Sequence, residues 1–398
     1  MTTTPHLPAI GRRGLLLGLA AVATLGNARL ALGQAPGEPR LVVILLRGAL
    51  DGLDAVVPYG DPAMAALRGD FPAPEPGREG GLLDLGGFFG LHPALPGLHG
   101  LYRANEAAII HAVAGPYRTR SHFEAQDLME AGAEQRLASG WLNRALGAMP
   151  TRRAGTPRAG LIVGLDVPLL MRGPAPVGAY AQTPETDAPP ELIERIQALY
   201  RGDPVLARPF DDGVRGRLFA AGQVGRDGAG QGGFAALAGI AGRLLAADDG
   251  PRVAALEIGG WDTHANQRSR LPPVLRQLDA GFVALKEGLG AAWSRTAVLA
   301  ITEFGRTARV NGTLGTDHGT AGVAFLAGGA IRGGRVIADW PGVAETQLLQ
   351  RRDLAATRDL RAIAKGLLRD HLRLPNNAVA AAFPGSETVR PEGGLLRG

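Results

Sequence analysis

The sequence predicts an α/β sandwich, in which helices cover both faces of a mostly parallel central sheet, forming one domain with inserted loops. Three observations predict it. Continuous apolar runs such as Leu41–Leu46 are what a strand buried on both faces requires, because neither side of it meets water. Strand-like runs alternate with helical stretches along most of the chain, as crossover connections demand. Several strands also end in polar residues set among glycines, and open α/β sheets gather their ligands at such strand ends.

In chain order, Leu41–Leu46 is the first strand and delivers Arg47, Asp51 and Asp54 to the loop beyond it. Asp61–Arg68 reads as a short helix, Phe71–Gly90 as a Pro- and Gly-rich excursion, and Leu91–Tyr102 as a helix-like segment. Ala107–Val113 is the second strand. Ser121, with Glu124 three residues on, is a capping-box signature for a helix that stops at Gly132. Trp141–Met149 is helical, Gly160–Gly164 is a short strand, and Pro168–Ala181 is an insertion holding further short strands. Pro190–Tyr200 is an amphipathic helix, and Arg201–Gly232, poor in pattern, is expected to be a mobile surface region. Helix Phe234–Ala247 feeds strand Arg252–Ile258. The long helix Leu271–Leu289 leads to strand Ala297–Ile301. Gly322–Ala327 and Val336–Ala338 are closing strands, and Asp359–Leu372 is a late amphipathic helix.

A chain of 398 residues with 45% hydrophobic content has ample apolar material for a core. The formal charge of +5 comes almost wholly from scattered arginines, Lys286 and Lys365 being the only lysines. Without a lysine-rich arm or an aromatic stacking stripe, nucleic acid is not an expected partner. The absence of cysteine excludes disulfides and thiolate chemistry. Residues 1–35 read as a twin-arginine export signal, with Arg12-Arg13 before an apolar run and a small-residue cleavage site at Ala31-Leu32-Gly33. The run is too short to anchor the chain in a bilayer. The expected location is therefore periplasmic or otherwise extracytoplasmic, the expected export partner is the twin-arginine machinery, and residues 36–398 form the folded domain.

The candidate chemistry lies in three strand-end segments, LLRGALDGLD, EIGGWDTHANQ and ITEFGRTARVNGTLGTDHG. Asp51, Asp262, His264, Glu303, Asp317 and His318 are oxygen and imidazole donors that suit Zn²⁺, Mn²⁺ or Mg²⁺, as one ion or as a pair about 3.5–4 Å apart. Any one Asp after a strand is more often a turn or cap residue, and any one His more often a structural group. It is the coincidence of Asp-x-His and Asp-His, each after a strand, that points to a metal. Ser121 is the candidate nucleophile, since a hydroxyl at a helix N-terminus faces the positive end of the dipole, with Thr119 in reserve. Arg118, Arg120 and Arg306 are candidates to clamp a tetrahedral anion.

With RSHFEAQDLMEAG and DLRAIAKGLL added, these motifs resemble the DUF1501 family of exported bacterial proteins, itself similar to the alkaline phosphatase/sulfatase superfamily. The resemblance implies an alkaline-phosphatase-like three-layer sandwich, one or two divalent metals, and a nucleophile at a helix start. It assigns Asp51 to the first-strand ligand, Ser121 to the nucleophile, and Asp262, His264, Glu303 and His318, with Asp317, to metal binding. The chain departs from the superfamily pattern in having Phe304, not His, after Glu303, so that Asp317 or His122 must supply the missing donor. Ser121 also lacks the following Pro and Arg of sulfatases. The implied activity is metal-dependent hydrolysis of a small or polymeric phosphate or related anionic ester. The alternative is a non-catalytic exported scaffold or glycan-binding protein. The oligomeric state is left open.

Overall fold

The computed structural model describes residues 38–149, 160–164, 166–181, 190–204, 206–207, 210–211, 213–214 and 233–398. The leader expected over residues 1–35 lies outside these, as does most of the stretch from Arg201 to Gly232. Among the described residues no helix is long and apolar enough to cross a membrane.

A nine-stranded sheet forms the middle layer. Its strands are β1 (Arg40–Arg47), β2 (Ala107–Ala114), β3 (Gly160–Val163), β4 (Val177–Tyr180) and β5 (Val253–Gly259), followed by β6 (Thr296–Thr302), β7 (Gly322–Ala327), β8 (Arg335–Ile337) and β9 (Arg358–Asp359). Their order is β8-β2-β7-β6-β1-β5-β3-β4, with β9 beside β2. β1 pairs in parallel with both β5 and β6, Leu41 facing Val253 on one side and Ala297 on the other. β7 runs antiparallel to its neighbours β2 and β6.

The apolar run of β1 is buried throughout because its two faces feed two separate cores. Val42, Ile44 and Leu46 pack with helices α1 (Pro96–Arg103), α4 (Phe234–Ala246) and α5 (Gln267–Leu289). Leu41, Val43 and Leu45 pack on the other side with α3 (Trp141–Ala148), α6 (Leu360–Gly366) and α7 (Asn376–Ala382), and α2 (His122–Ala131) adds Met129 to the same layer. The strand's alternating side-chain directions thus split one run between two helical layers. Each of these leucine, isoleucine and valine side chains contributes roughly 1.5–3 kcal/mol by leaving water.

Three expectations are corrected. The Pro168–Ala181 insertion holds one strand, β4, and a 3-10 turn at Leu169–Met171 rather than several strands. Helix α5 starts at Gln267, not Leu271, and carries Pro272 and Pro273 inside it, so that the carbonyls of Arg268 and Ser269 lose their usual donors. The late helix breaks into α6 and a π-helical turn at Leu367–His371.

Candidate metal centre

Parallel pairing brings the ends of β6, β1 and β5 side by side, so the loops that follow them share one edge of the sheet. β5 leads to Asp262 and His264, and β6 to Glu303 and Arg306. Because β7 is antiparallel to both β6 and β2, its start, just after His318, and the end of β2, before Ser121 and His122, lie at that same edge. The segments after β6 and before β7 are laced together. Thr307 N donates to the Asp317 carbonyl at 2.8 Å, Gly319 N to that of Gly305 at 2.8 Å and Gly305 N to that of Thr320 at 2.9 Å. A Cβ on Gly305 would stand 1.8 Å from the Ala321 carbonyl oxygen, and one on Gly319 2.4 Å from that of Arg306. The glycines of the EFGR and DHG motifs are what permit this approach.

Three imidazoles converge on one carboxylate oxygen. Asp262 Oδ1 lies 3.0 Å from His264 Nε2, 3.4 Å from His318 Nε2 and 3.6 Å from His122 Nε2. In each ring the other nitrogen, Nδ1, faces an acceptor: Glu303 at 2.7 Å for His122, Asp317 at 3.0 Å for His264, and the Arg120 carbonyl at 2.8 Å for His318. Those contacts require Nδ1–H in all three, so in the neutral rings every Nε2 presents a lone pair to the centre. His264 Nε2 and His318 Nε2 stand only 2.9 Å apart, and His122 Nε2 is buried without a hydrogen-bond partner. Facing lone pairs repel unless a cation lies among them. The donor set therefore fits a metal ion, with the carboxylate or carbonyl behind each ring fixing its tautomer and orientation. His122, Asp262 and His318 have donor atoms within 4.8 Å of one another, and His264 adjoins them.

The local charges agree. The Glu303 hydrogen bond raises the His122 pKa against the opposing effect of burial. Burial lowers that of His318. Burial alone would raise the Asp262 carboxyl, but the Arg306 hydrogen bond and the charges of Arg306, His264 and His122 outweigh it and hold Asp262 below the usual carboxylate range. Glu303 is lowered in the same way, with His122, Gln126 and the Gly48 amide overcoming burial. Phe304 packs against both the His122 and His318 rings, with centroids at 5.0 and 5.2 Å. The residue standing in place of an expected histidine is therefore a wall of the site.

The structure thus redistributes the expected ligands. Asp262, His264 and His318 meet. Glu303 and Asp317 stand one bond behind, each holding a histidine. Asp51 is elsewhere: both its oxygens pair with the Arg68 guanidinium at 2.9 and 3.1 Å, and it also accepts from Leu53 N and Gln267. A guanidinium fills the cation position beside it. Arg306 is fully buried, with its nitrogens spent on Asp262 at 2.6 Å, on Thr316 Oγ1 at 3.3 Å and on the Thr316 carbonyl, so it holds Asp262 rather than reaching for an anion. Ser121 is the N-cap residue of α2, as expected, but its hydroxyl makes no capping bond. Arg118 is engaged with the carbonyls of Gly115 and Tyr117.

Residues 220–379 match the family described as "Protein of unknown function (DUF1501)". Over that segment the chain is similar to the DUF1501 family. The matched segment contains Asp262, His264, Glu303, Arg306, Asp317 and His318, whereas His122 reaches the centre from outside it. No curated protein matches the chain. Among solved structures, the C-terminal periplasmic domain of EptC from Escherichia coli, in complex with Zn, is similar at a TM-score of 0.36 and 9% identity, covering 76% of each chain. The phosphonate monoester hydrolase of Agrobacterium radiobacter gives 0.30 and 13%, covering 75% of this chain and 70% of that one. A protein of the alkaline phosphatase superfamily from Vibrio parahaemolyticus gives 0.28 and 11%, covering 78% and 68%.

Proposed function

We infer that this chain is an exported, metal-dependent hydrolase of phosphate or related anionic esters, using Ser121 as nucleophile. The observation that carries the metal half of this reading is the set of three Nε2 atoms turned toward Asp262, each with its Nδ1 already committed. His122, Asp262, His264 and His318 would hold one divalent ion, and a donor set rich in imidazole suits Zn²⁺ better than Mg²⁺. Such an ion supplies Lewis acidity, polarising a phosphoryl oxygen and lowering the pKa of a nearby hydroxyl.

Ser121 directly precedes a ligand, and its hydroxyl is left free by the uncapped start of α2. The first backbone N–H groups of that helix therefore have no side-chain acceptor, and with the helix dipole they favour an anion beside the hydroxyl. Ser121 Oγ displaces the alcohol from the phosphorus, the alcohol takes the proton the serine gives up, and water then releases phosphate from Ser121. The Arg12-Arg13 leader supports action outside the cytoplasm after passage through the twin-arginine machinery. The test is Ser121→Ala in the mature protein, assayed on phosphomonoester and diester substrates alongside metal analysis. Turnover is expected to vanish while the metal stays, and undiminished turnover overturns the assignment of the nucleophile.

A further inference from the structure

Asp353 lies far along the chain from every residue of the centre, is fully buried, and is tied by hydrogen bonds to two of the segments that build it. Its Oδ2 accepts from Arg120 Nε at 3.0 Å, from a terminal Arg120 nitrogen at 2.7 Å and from Thr320 Oγ1 at 2.9 Å. Its Oδ1 accepts from Arg352 at 3.0 Å. Arg120 is the residue whose carbonyl receives His318 Nδ1–H at 2.8 Å, and Thr320 is two residues beyond His318. Arg120 also sits at φ +64°, a left-handed conformation that a long side chain does not favour and that needs an external hold. The next two residues are Ser121 and His122.

We propose that Asp353 is a positioning residue of the metal centre: by gripping the Arg120 guanidinium and the Thr320 hydroxyl at once, it fixes the Arg120 carbonyl against His318 and so sets that ring's tautomer and aim. The contact is charged and converges on one atom: two Arg120 nitrogens and the Thr320 hydroxyl all donate to the buried Asp353 Oδ2, which ties the segment before His122 to the segment after His318. The inference rests on the metal reading above, and its test reads metal binding directly instead of turnover.

Titration of the metal-free protein with Co²⁺, followed by its visible ligand-field absorption, gives both affinity and coordination geometry. Asp353→Asn preserves shape and one acceptor but removes the charge. Affinity is expected to fall by roughly 10–100-fold, the range seen when the group behind a histidine ligand is lost, with a changed absorption envelope and a retained fold by circular dichroism. Arg120→Ala, which keeps the carbonyl and loses the grip, should give the same defect, and the double variant should be no worse than either single one. Gln350→Ala, which removes the exposed partner 2.9 Å from Arg120, should stay within twofold of the parent protein. If Asp353→Asn does not fold, Arg120→Ala carries the test. Binding within twofold of the parent by the folded variants, with an unchanged spectrum, overturns this inference alone. Absence of Co²⁺ binding by the parent overturns the metal reading and this inference with it.

Discussion

Replacing Arg68 with methionine tests whether the cation beside Asp51 is built into the chain. Asp51 is 1% exposed and the Arg68 side chain 0% exposed, so neither is helped by water. The guanidinium also donates to the carbonyls of Ala308 at 2.8 Å and Thr307 at 2.9 Å. Arg68→Met strands a buried carboxylate and two carbonyls, and breaking such a pair from one side costs about 3–5 kcal/mol. At about 1.3 °C per kcal/mol for a domain of this size, the melting temperature should drop by roughly 4–7 °C. Adding Asp51→Asn removes the stranded charge and should restore more than half of the loss. Urea unfolding followed by circular dichroism measures both steps. A loss below about 1 kcal/mol, or a double variant no better than the single one, would refute the pairing as the reason Asp51 is satisfied.

Other expectations follow from the same geometry. A Cβ on Gly315 would meet the His264 carbonyl carbon and oxygen at 2.3 Å, whereas one on Gly312 would meet nothing within 4 Å. Gly315→Ala should therefore destabilise by about 1–3 kcal/mol and weaken metal uptake, while Gly312→Ala changes neither by a measurable amount in melting and titration experiments. Burial, followed by the charge of Asp51, pushes the Asp54 carboxyl up to about 6. Its folded pKa lies above the unfolded value, so the folded state holds the extra proton and stability falls as pH rises from about 4 to above 6. Asp54→Asn should flatten that limb and raise the melting temperature at pH 8, and an unchanged pH profile would show that Asp54 is already ionised at low pH.

Much of this was legible in the chain. The β1, β2, β5, β6 and β7 strands stand out as apolar runs because they are buried on both faces, and Asp262, His264 and His318 stand out because each follows or precedes such a strand among glycines. What the residues could not tell was which donors touch the centre and which stand behind. Glu303 and His122 show why. A carboxylate bonded to Nδ1 and a carboxylate bonded to a metal have the same sequence signature, and only the 2.7 Å contact assigns Glu303 to the histidine. The departure at Phe304 was visible, but its meaning as a wall against two rings was not, since that depends on the way loops from distant strands fold over each other. Arg68 was hidden for a related reason: it lies on the short helix Met64–Arg68, whose sequence gives no hint that it returns to the β1 loop. Asp353 carries no motif at all and is marked only by its partners.

Metal content gives the most direct measure of the central claim. Purified protein equilibrated with Zn²⁺ and dialysed should retain about one ion per chain, and the His264→Ala/His318→Ala double variant, confirmed as folded, should retain none. An empty parent protein, or a double variant that keeps its ion, would contradict a centre built from the three imidazoles around Asp262.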